Sequence, residues 1–253
     1  METYHFEDGR YEVLENAHGD CIVKDKTKEK YFYKKDYWFF EKNEIKKIDK
    51  VTWSWRDVAV LFVVGVSIIC MLIVLKNIEF IYEAEKIKSV MLLVEIYIFT
   101  IINVILHEIA HSLMMIFYGR KPGKVRLKLY CKIFPCIVID TSDSYMLLRY
   151  RKAFVYYAGI MVNWIVCGLF VSFFRQYVYL ISALVWVDIY NMIPFGGVKT
   201  DGYRILMDCI LNKKELINKK SKISKLLELV FWIMAIICTF KSWSNFLKDM
   251  IFK

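Results

Sequence analysis

Apolar positions in this chain gather into long uncharged runs. Residues 58 to 75 (VAVLFVVGVSIICMLIVL) carry no charge, and neither do residues 153 to 174. Each run approaches the roughly 20 residues that a helix needs to cross a bilayer. The pattern predicts a first span over residues 57 to 76. A second helix is expected from Ser89 to Tyr118, closed by Gly119, and at 1.5 Å per residue it is about 45 Å long. A third span over 153 to 174 and a fourth over 176 to 194 form a hairpin around Arg175, and a last apolar stretch, 223 to 243, is interrupted by Lys225 and Glu228. Residues 1 to 50 read differently. Strand-like alternation runs through residues 11 to 14, 21 to 23 and 31 to 33, with a hairpin tip at 24 to 30. Between the second and third spans, Val125, Leu127 and Leu129 alternate with Arg126, Lys128 and Tyr130 before a second apolar segment, 133 to 139, which predicts short strands or a re-entrant ribbon. The expected fold is a multi-spanning α-helical membrane protein of about 5 to 6 transmembrane helices, with a short membrane-associated β ribbon and a small strand-rich N-terminal module. The division is residues 1 to 52 for the cytoplasmic module and 53 to 253 for the transmembrane domain.

Composition and charge sharpen this picture. The chain is 57% hydrophobic, above the usual soluble range of about 45 to 50%. Its net charge is +10, and its Lys and Arg residues concentrate in residues 1 to 56, 119 to 152 and 196 to 225, which alternate with the apolar runs. By the positive-inside rule this places the protein in the cell membrane as a multi-pass protein with a cytoplasmic N-terminus. Trp53 and Trp55 precede the first span, at the depth of the lipid headgroups. No basic motif interleaved with aromatics is present, so nucleic acid is not an expected partner. The seven cysteines are scattered singly, without a CxxC pair, and read as reduced thiols.

The second helix carries the chemistry. In the run Leu106-His107-Glu108-Ile109-Ala110-His111, two imidazoles and a carboxylate stand among apolar residues, where unused polar groups are costly. On a helix His107 and His111 share one face about 6 Å apart along the axis, close enough to bind one metal ion. Glu108 sits about 100° around the helix from His107 and can reach a water on that metal without being a ligand. That is the placement of a general base in zinc-assisted hydrolysis. Catalytic zinc takes three protein ligands and leaves a position for water, so one more donor is required. His5 and His18 belong to the N-terminal module. Asp201 follows the fourth span in the segment Asn191-Met192-Ile193-Pro194-Phe195-Gly196-Gly197-Val198-Lys199-Thr200-Asp201-Gly202, on the same membrane side as the motif. Pro194 and the glycines break helix there and let the chain turn inward. Asp188, inside the fourth span, is a pairing group within the bundle, the alternative ligand, or a group that orients a ligating histidine. Glu95 and Glu228 read as pairing groups within the bundle.

These motifs resemble the site-2 protease family of membrane-embedded zinc metalloproteases. Members carry HExxH on one transmembrane helix, a later Asn-Pro-x-Pro…Asp-Gly motif that supplies the third ligand, and an Ala-Gly-Pro-x-x-Asn element between them. Here the counterparts are residues 107 to 111, 191 to 202 and Ala158-Gly159-Ile160-Met161-Val162-Asn163. Met192 and Ile160 replace two of the family's prolines, and the interval from Asn191 to Asp201 is longer by two residues than the commonest family pattern. The resemblance, over residues 58 to 205, implies Zn2+ held by His107, His111 and Asp201, Glu108 as catalytic base, and Asn163 and Asn191 as groups that position substrate or stabilise an oxyanion; the competing reading of Asn163 is a hydrogen bond that bridges helices. It implies an active site toward the cytoplasmic side and a peptide or transmembrane protein as substrate. The form Asn-x-Ile-Pro-Phe…Thr-Asp-Gly-Tyr also resembles a bacterial branch that matures or exports ribosomally made peptides. In that reading the N-terminal module binds a leader peptide and the enzyme is a membrane-tethered maturation protease. A non-enzymatic peptide export or immunity protein is the remaining class, and Glu108 argues against it, because a structural metal site needs no base.

Overall fold

The computed structural model describes residues 4–7, 9–15, 21–34, 46–50, 53–84, 90–130, 134–193 and 200–206. Strands β1 (Tyr4–Glu7), β2 (Tyr11–Glu15), β3 (Cys21–Asp25), β4 (Lys30–Lys34) and β5 (Lys46–Lys50) form one antiparallel sheet in the order β4-β3-β2-β1-β5. The β3–β4 hairpin lies where the alternation predicts it. Its turn is fixed by Asp25, whose Oδ1 accepts from the backbone N–H groups of Thr27 at 3.0 Å and Lys28 at 3.2 Å.

Leu14 and Ile22 of this sheet pack against Met146, in a 3-10 turn over Ser142–Met146, with Tyr31, Tyr33 and Tyr145 around them. Polar contacts fasten the same junction. Lys24 pairs with Asp143, Arg120 pairs with Glu12, and the Tyr31 hydroxyl donates to Asp143 Oδ1 at 2.9 Å. Burial, then the Asp143 charge, push the Tyr31 phenol well above its ordinary range, so it remains a donor.

Helix α1 (Trp55–Lys76) begins where the Ser54 N–H donates to Asp57 Oδ2 at 2.8 Å, which satisfies one of the free donors of the first turn. Helix α2 (Ile78–Ala84) follows Asn77, and α3 (Val90–Phe117) ends at Gly119, whose φ of 75° closes the helix in the left-handed region that glycine tolerates. Strands β6 (Val125–Tyr130) and β7 (Phe134–Ile139) pair as an antiparallel ribbon, and α4 (Arg149–Phe173) comes after the 3-10 turn. Three helical segments are long and apolar enough to cross a membrane: Trp55–Lys76, Val94–Phe117 and Arg149–Phe173. The outer faces of α1 and α3 leave Val58, Phe62, Leu72, Leu113 and Ile116 exposed, as residues facing lipid would be.

Helices α1 and α4 run parallel. Asp57 accepts from Arg151 Nε at 2.9 Å and Nη2 at 2.7 Å, Ser67 meets the Tyr157 hydroxyl at 3.0 Å, and Gly168 lies against Cys70. Helix α3 runs antiparallel to both and packs on α4, and its Phe117 end meets Trp55 edge-to-face at 5.8 Å.

The fourth predicted span does not form as one helix. A 3-10 segment, Arg175–Ile181, kinks at Tyr177 and leads into α5 (Ser182–Met192), whose 11 residues extend about 17 Å, too short to cross. The number of spans predicted from sequence is therefore corrected to three among the described residues; the stretch 223 to 243, with Glu228, lies outside them. A buried helix and a lipid-facing one share the same apolar signature, and here Val178, Ile181, Leu184 and Val185 are buried against Trp164, Ile160 and Val171 of α4. Glu95 pairs as expected, its Oε2 accepting from the Tyr179 hydroxyl at 2.8 Å. Cys70 and Cys167 are free thiols.

Candidate metal centre

The helical register of α3 aims His107 and His111 at α4, where both are buried. The two rings stand edge-to-face with centroids 4.8 Å apart. Room for them comes from Gly159: a Cβ there would stand closer than 3.0 Å to three atoms of the His107 ring. One turn earlier on α4, the Val155 carbonyl accepts from His111 Nδ1 at 2.6 Å. That bond places the ring proton on Nδ1 and leaves Nε2 with its lone pair directed into the site.

Helix α5 runs back from the far end of α4 and delivers Asn191. Beyond it, Asp201 opens the short helix α6 (Asp201–Arg204), whose preceding Thr200 hydroxyl accepts from the Tyr203 N–H at 3.1 Å. Asn191 ties the two elements together: its amide nitrogen donates to Asp201 Oδ2 at 2.8 Å, and its carbonyl accepts from the Asp201 N–H at 3.1 Å. The longer interval between Asn191 and Asp201 thus closes at its ends, while Pro194, Gly196 and Gly197 lie outside the described residues. Gly202 is required, since a Cβ there would overlap the Met192 carbonyl.

Asp201 Oδ2 is 3.0 Å from His107 Nε2 and 3.3 Å from His111 Nε2. Two ligands on a tetrahedral ion at about 2.0 to 2.1 Å are separated by about 3.3 Å, so the three atoms have the spacing of one coordination sphere. The chemistry of the set agrees. His111 Nε2 and Asp201 Oδ2 are both donor atoms for a metal, and a cation shared between them, metal ion or proton, makes that approach favourable. Glu108 completes a cluster in which the ligand-type atoms of His107, Glu108 and His111 lie within 4.8 Å of one another. Its Oε2 accepts from the Ile139 N–H at 2.8 Å, so the last residue of β7 holds this half-buried carboxylate.

The fold therefore brings together His107, Glu108, His111, Asn191 and Asp201. Asn163 stands behind His107, with its amide nitrogen 3.2 Å from Nδ1 and 2.7 Å from Asp188 Oδ1. Asp188 meets that amide and lies one residue removed from the imidazoles. His5 belongs to β1, and His18 lies outside the described residues. Sequence reasoning passed over the Val155 carbonyl and the Ile139 N–H, since backbone groups leave no trace in residue type. Gly159 had a signal in the Ala158-Gly159 pair.

No family model matches the chain, and no solved structure matches it. The chain is 26% identical over 219 residues to the Bacillus subtilis (strain 168) protein named "Putative peptide zinc metalloprotease protein YydH", a similarity that covers 82% of this chain and 83% of that one.

Proposed function

We propose that the chain is a membrane-embedded zinc metalloprotease of the site-2 protease type, with His107, His111 and Asp201 as ligands and Glu108 as general base. The observation that carries this reading is the convergence of both imidazole Nε2 atoms on one Asp201 oxygen, with Glu108 beside them. The name of the relative supports its coarser part, a zinc metalloprotease. Zinc, when bound, supplies a Lewis acid that polarises the scissile carbonyl and acidifies water.

The remaining chemistry belongs to the protein. A Glu108 carboxylate oxygen takes a proton from the attacking water and passes it to the leaving amine. The Ile139 N–H keeps that carboxylate aimed between β7 and the imidazoles. Asn191 presents an amide N–H beside His107 Nε2, at 3.3 Å, and can donate to the carbonyl oxygen as its negative charge grows. Among the described residues strand β7 pairs with β6 along one side only, and its Ile139 N–H turns toward α3 on the other. An extended substrate segment laid along that side brings its peptide bond to Glu108.

Glu108→Gln tests the assignment. The variant retains zinc and loses about 10²- to 10⁴-fold in turnover; cleavage at the wild-type rate refutes Glu108 as the base.

A second reading, trimming of a ribosomally made precursor peptide, is favoured by the N-terminal sheet. Its edge strand β4 exposes Phe32 and Lys30, a basic and aromatic edge suited to an acidic extended leader. Under this reading Phe32→Ala in the full chain raises KM for a leader-bearing precursor and leaves cleavage of the leaderless peptide unchanged. An unchanged KM for the precursor removes the leader from the account.

A further inference from the structure

Asn163 and Asp188 form a buried polar pair that no step above uses. Asn163 is 1% exposed and Asp188 0%, and two of their atoms, Asn163 Oδ1 and Asp188 Oδ2, are buried without a hydrogen-bond partner among the described residues. Unpartnered groups of this kind are costly and mark a site where something further is arranged.

The arrangement concerns the proton of His107. A neutral imidazole carries one N–H, and the nitrogen that binds a metal must be the bare one. With the amide nitrogen of Asn163 donating to Nδ1, the ring proton sits on Nε2, where it donates to Asp201. A ring that binds a metal through Nε2 needs its proton on Nδ1, and hence an acceptor where the amide nitrogen now stands. Half a turn of the Asn163 amide supplies one, because its oxygen and nitrogen ends are nearly the same size. The amide oxygen then stands about 3.2 Å from Nδ1 and about 2.7 Å from Asp188 Oδ1, the ordinary length of an O–H···O bond. Two oxygens that close require a proton between them, which Asp188 supplies as the neutral acid. The neutral form also suits its second oxygen, which as a carboxylate would be a buried charge with no partner.

We propose that Asp188, as a neutral acid, and Asn163 form a relay that holds His107 in its metal-binding tautomer. Both are positioning residues that act through His107. The relay rests on the metal-centre reading and adds to it the origin of one ligand's orientation. Asp188 stays neutral throughout, so the change in the ring exchanges the proton between its two nitrogens and adds no charge to the bundle.

The test is nitrogen-15 NMR of histidine-labelled, zinc-loaded protein carrying His5→Gln and His18→Gln, which leaves two of the chain's four imidazoles. Both remaining rings are expected to carry the proton on Nδ1, His111 through the Val155 carbonyl and His107 through the relay, and to bind through Nε2; a bare Nδ1 on the His107 ring overturns the relay. Zinc affinity by chelator competition supplies the second measurement. Asn163→Ala binds zinc about 10- to 100-fold more weakly. Asp188→Asn, which keeps a neutral donor, stays within a few-fold of wild type, and Asp188→Leu falls with Asn163→Ala. Wild-type affinity in Asn163→Ala, or a large loss in Asp188→Asn, overturns the relay. Should Asn163→Ala fail to fold, the NMR measurement decides alone. A protein that binds no zinc in any form contradicts the metal-centre reading itself, whereas zinc with a bare Nδ1 contradicts only the relay.

Discussion

Gly159→Ala adds one methyl group to the wall of the site. That carbon would stand within 3.0 Å of Cδ2, Nε2 and Cε1 of His107. The ring has little freedom to yield, because Asp201 at 3.0 Å, Asn163 at 3.2 Å and Asn191 at 3.3 Å surround its nitrogens. Overpacking of a buried site costs about 1 to 3 kcal/mol, and displacement of one metal ligand lowers affinity by about 10- to 100-fold. A control lies on the same helix: Gly168→Ala presses a methyl group onto Cys70 of α1, away from the histidines. Thermal unfolding of the detergent-solubilised protein, followed with and without zinc, separates the two. Gly168→Ala lowers Tm and keeps the zinc-induced increase, whereas Gly159→Ala lowers Tm and loses most of that increase. If Gly159→Ala binds zinc with wild-type affinity, the steric account of how α4 shapes the site is wrong.

Other perturbations have equally defined outcomes. Asp57→Ala strands Arg151 at the start of α4 and destabilises the protein by about 3 to 5 kcal/mol, read as a loss of Tm in the same assay; a change within error would show the pair to be dispensable. Tyr31→Phe removes one donor to Asp143 and costs about 1 kcal/mol, with faster proteolysis of the N-terminal sheet as the observable. Gly202→Ala drives a methyl group onto the Met192 carbonyl, a backbone atom that cannot rotate away, so zinc binding falls with it; full zinc occupancy would contradict the packing of α6 on α5.

Local patterns in the sequence exposed what local geometry decides. The spacing of His107 and His111 is a property of one helix, and the β3–β4 hairpin follows from alternation on either side of a polar turn. Non-local decisions were hidden. In the run 176 to 193, Val178, Ile181, Leu184 and Val185 are buried against Trp164 and Ile160, and no periodicity separates that from burial in lipid. Its function is geometric, since α5 stops short and returns Asn191 to His107. Asp143 looks like one more polar residue in a loop, yet it joins Tyr31, 112 positions away, to the turn that follows β7. The pairing of Asn163 with Asp188 was equally invisible, and it turns two separately noted polar residues into one arrangement behind a single imidazole.

The proposed centre holds one ion between two histidines of α3 and an aspartate that follows α5. Metal content of the purified protein, determined by mass spectrometry for the wild type and for Asp201→Ala, addresses it directly. The account predicts one zinc per wild-type chain and loss of that zinc in the variant. Full zinc occupancy in Asp201→Ala, at wild-type affinity, would contradict it.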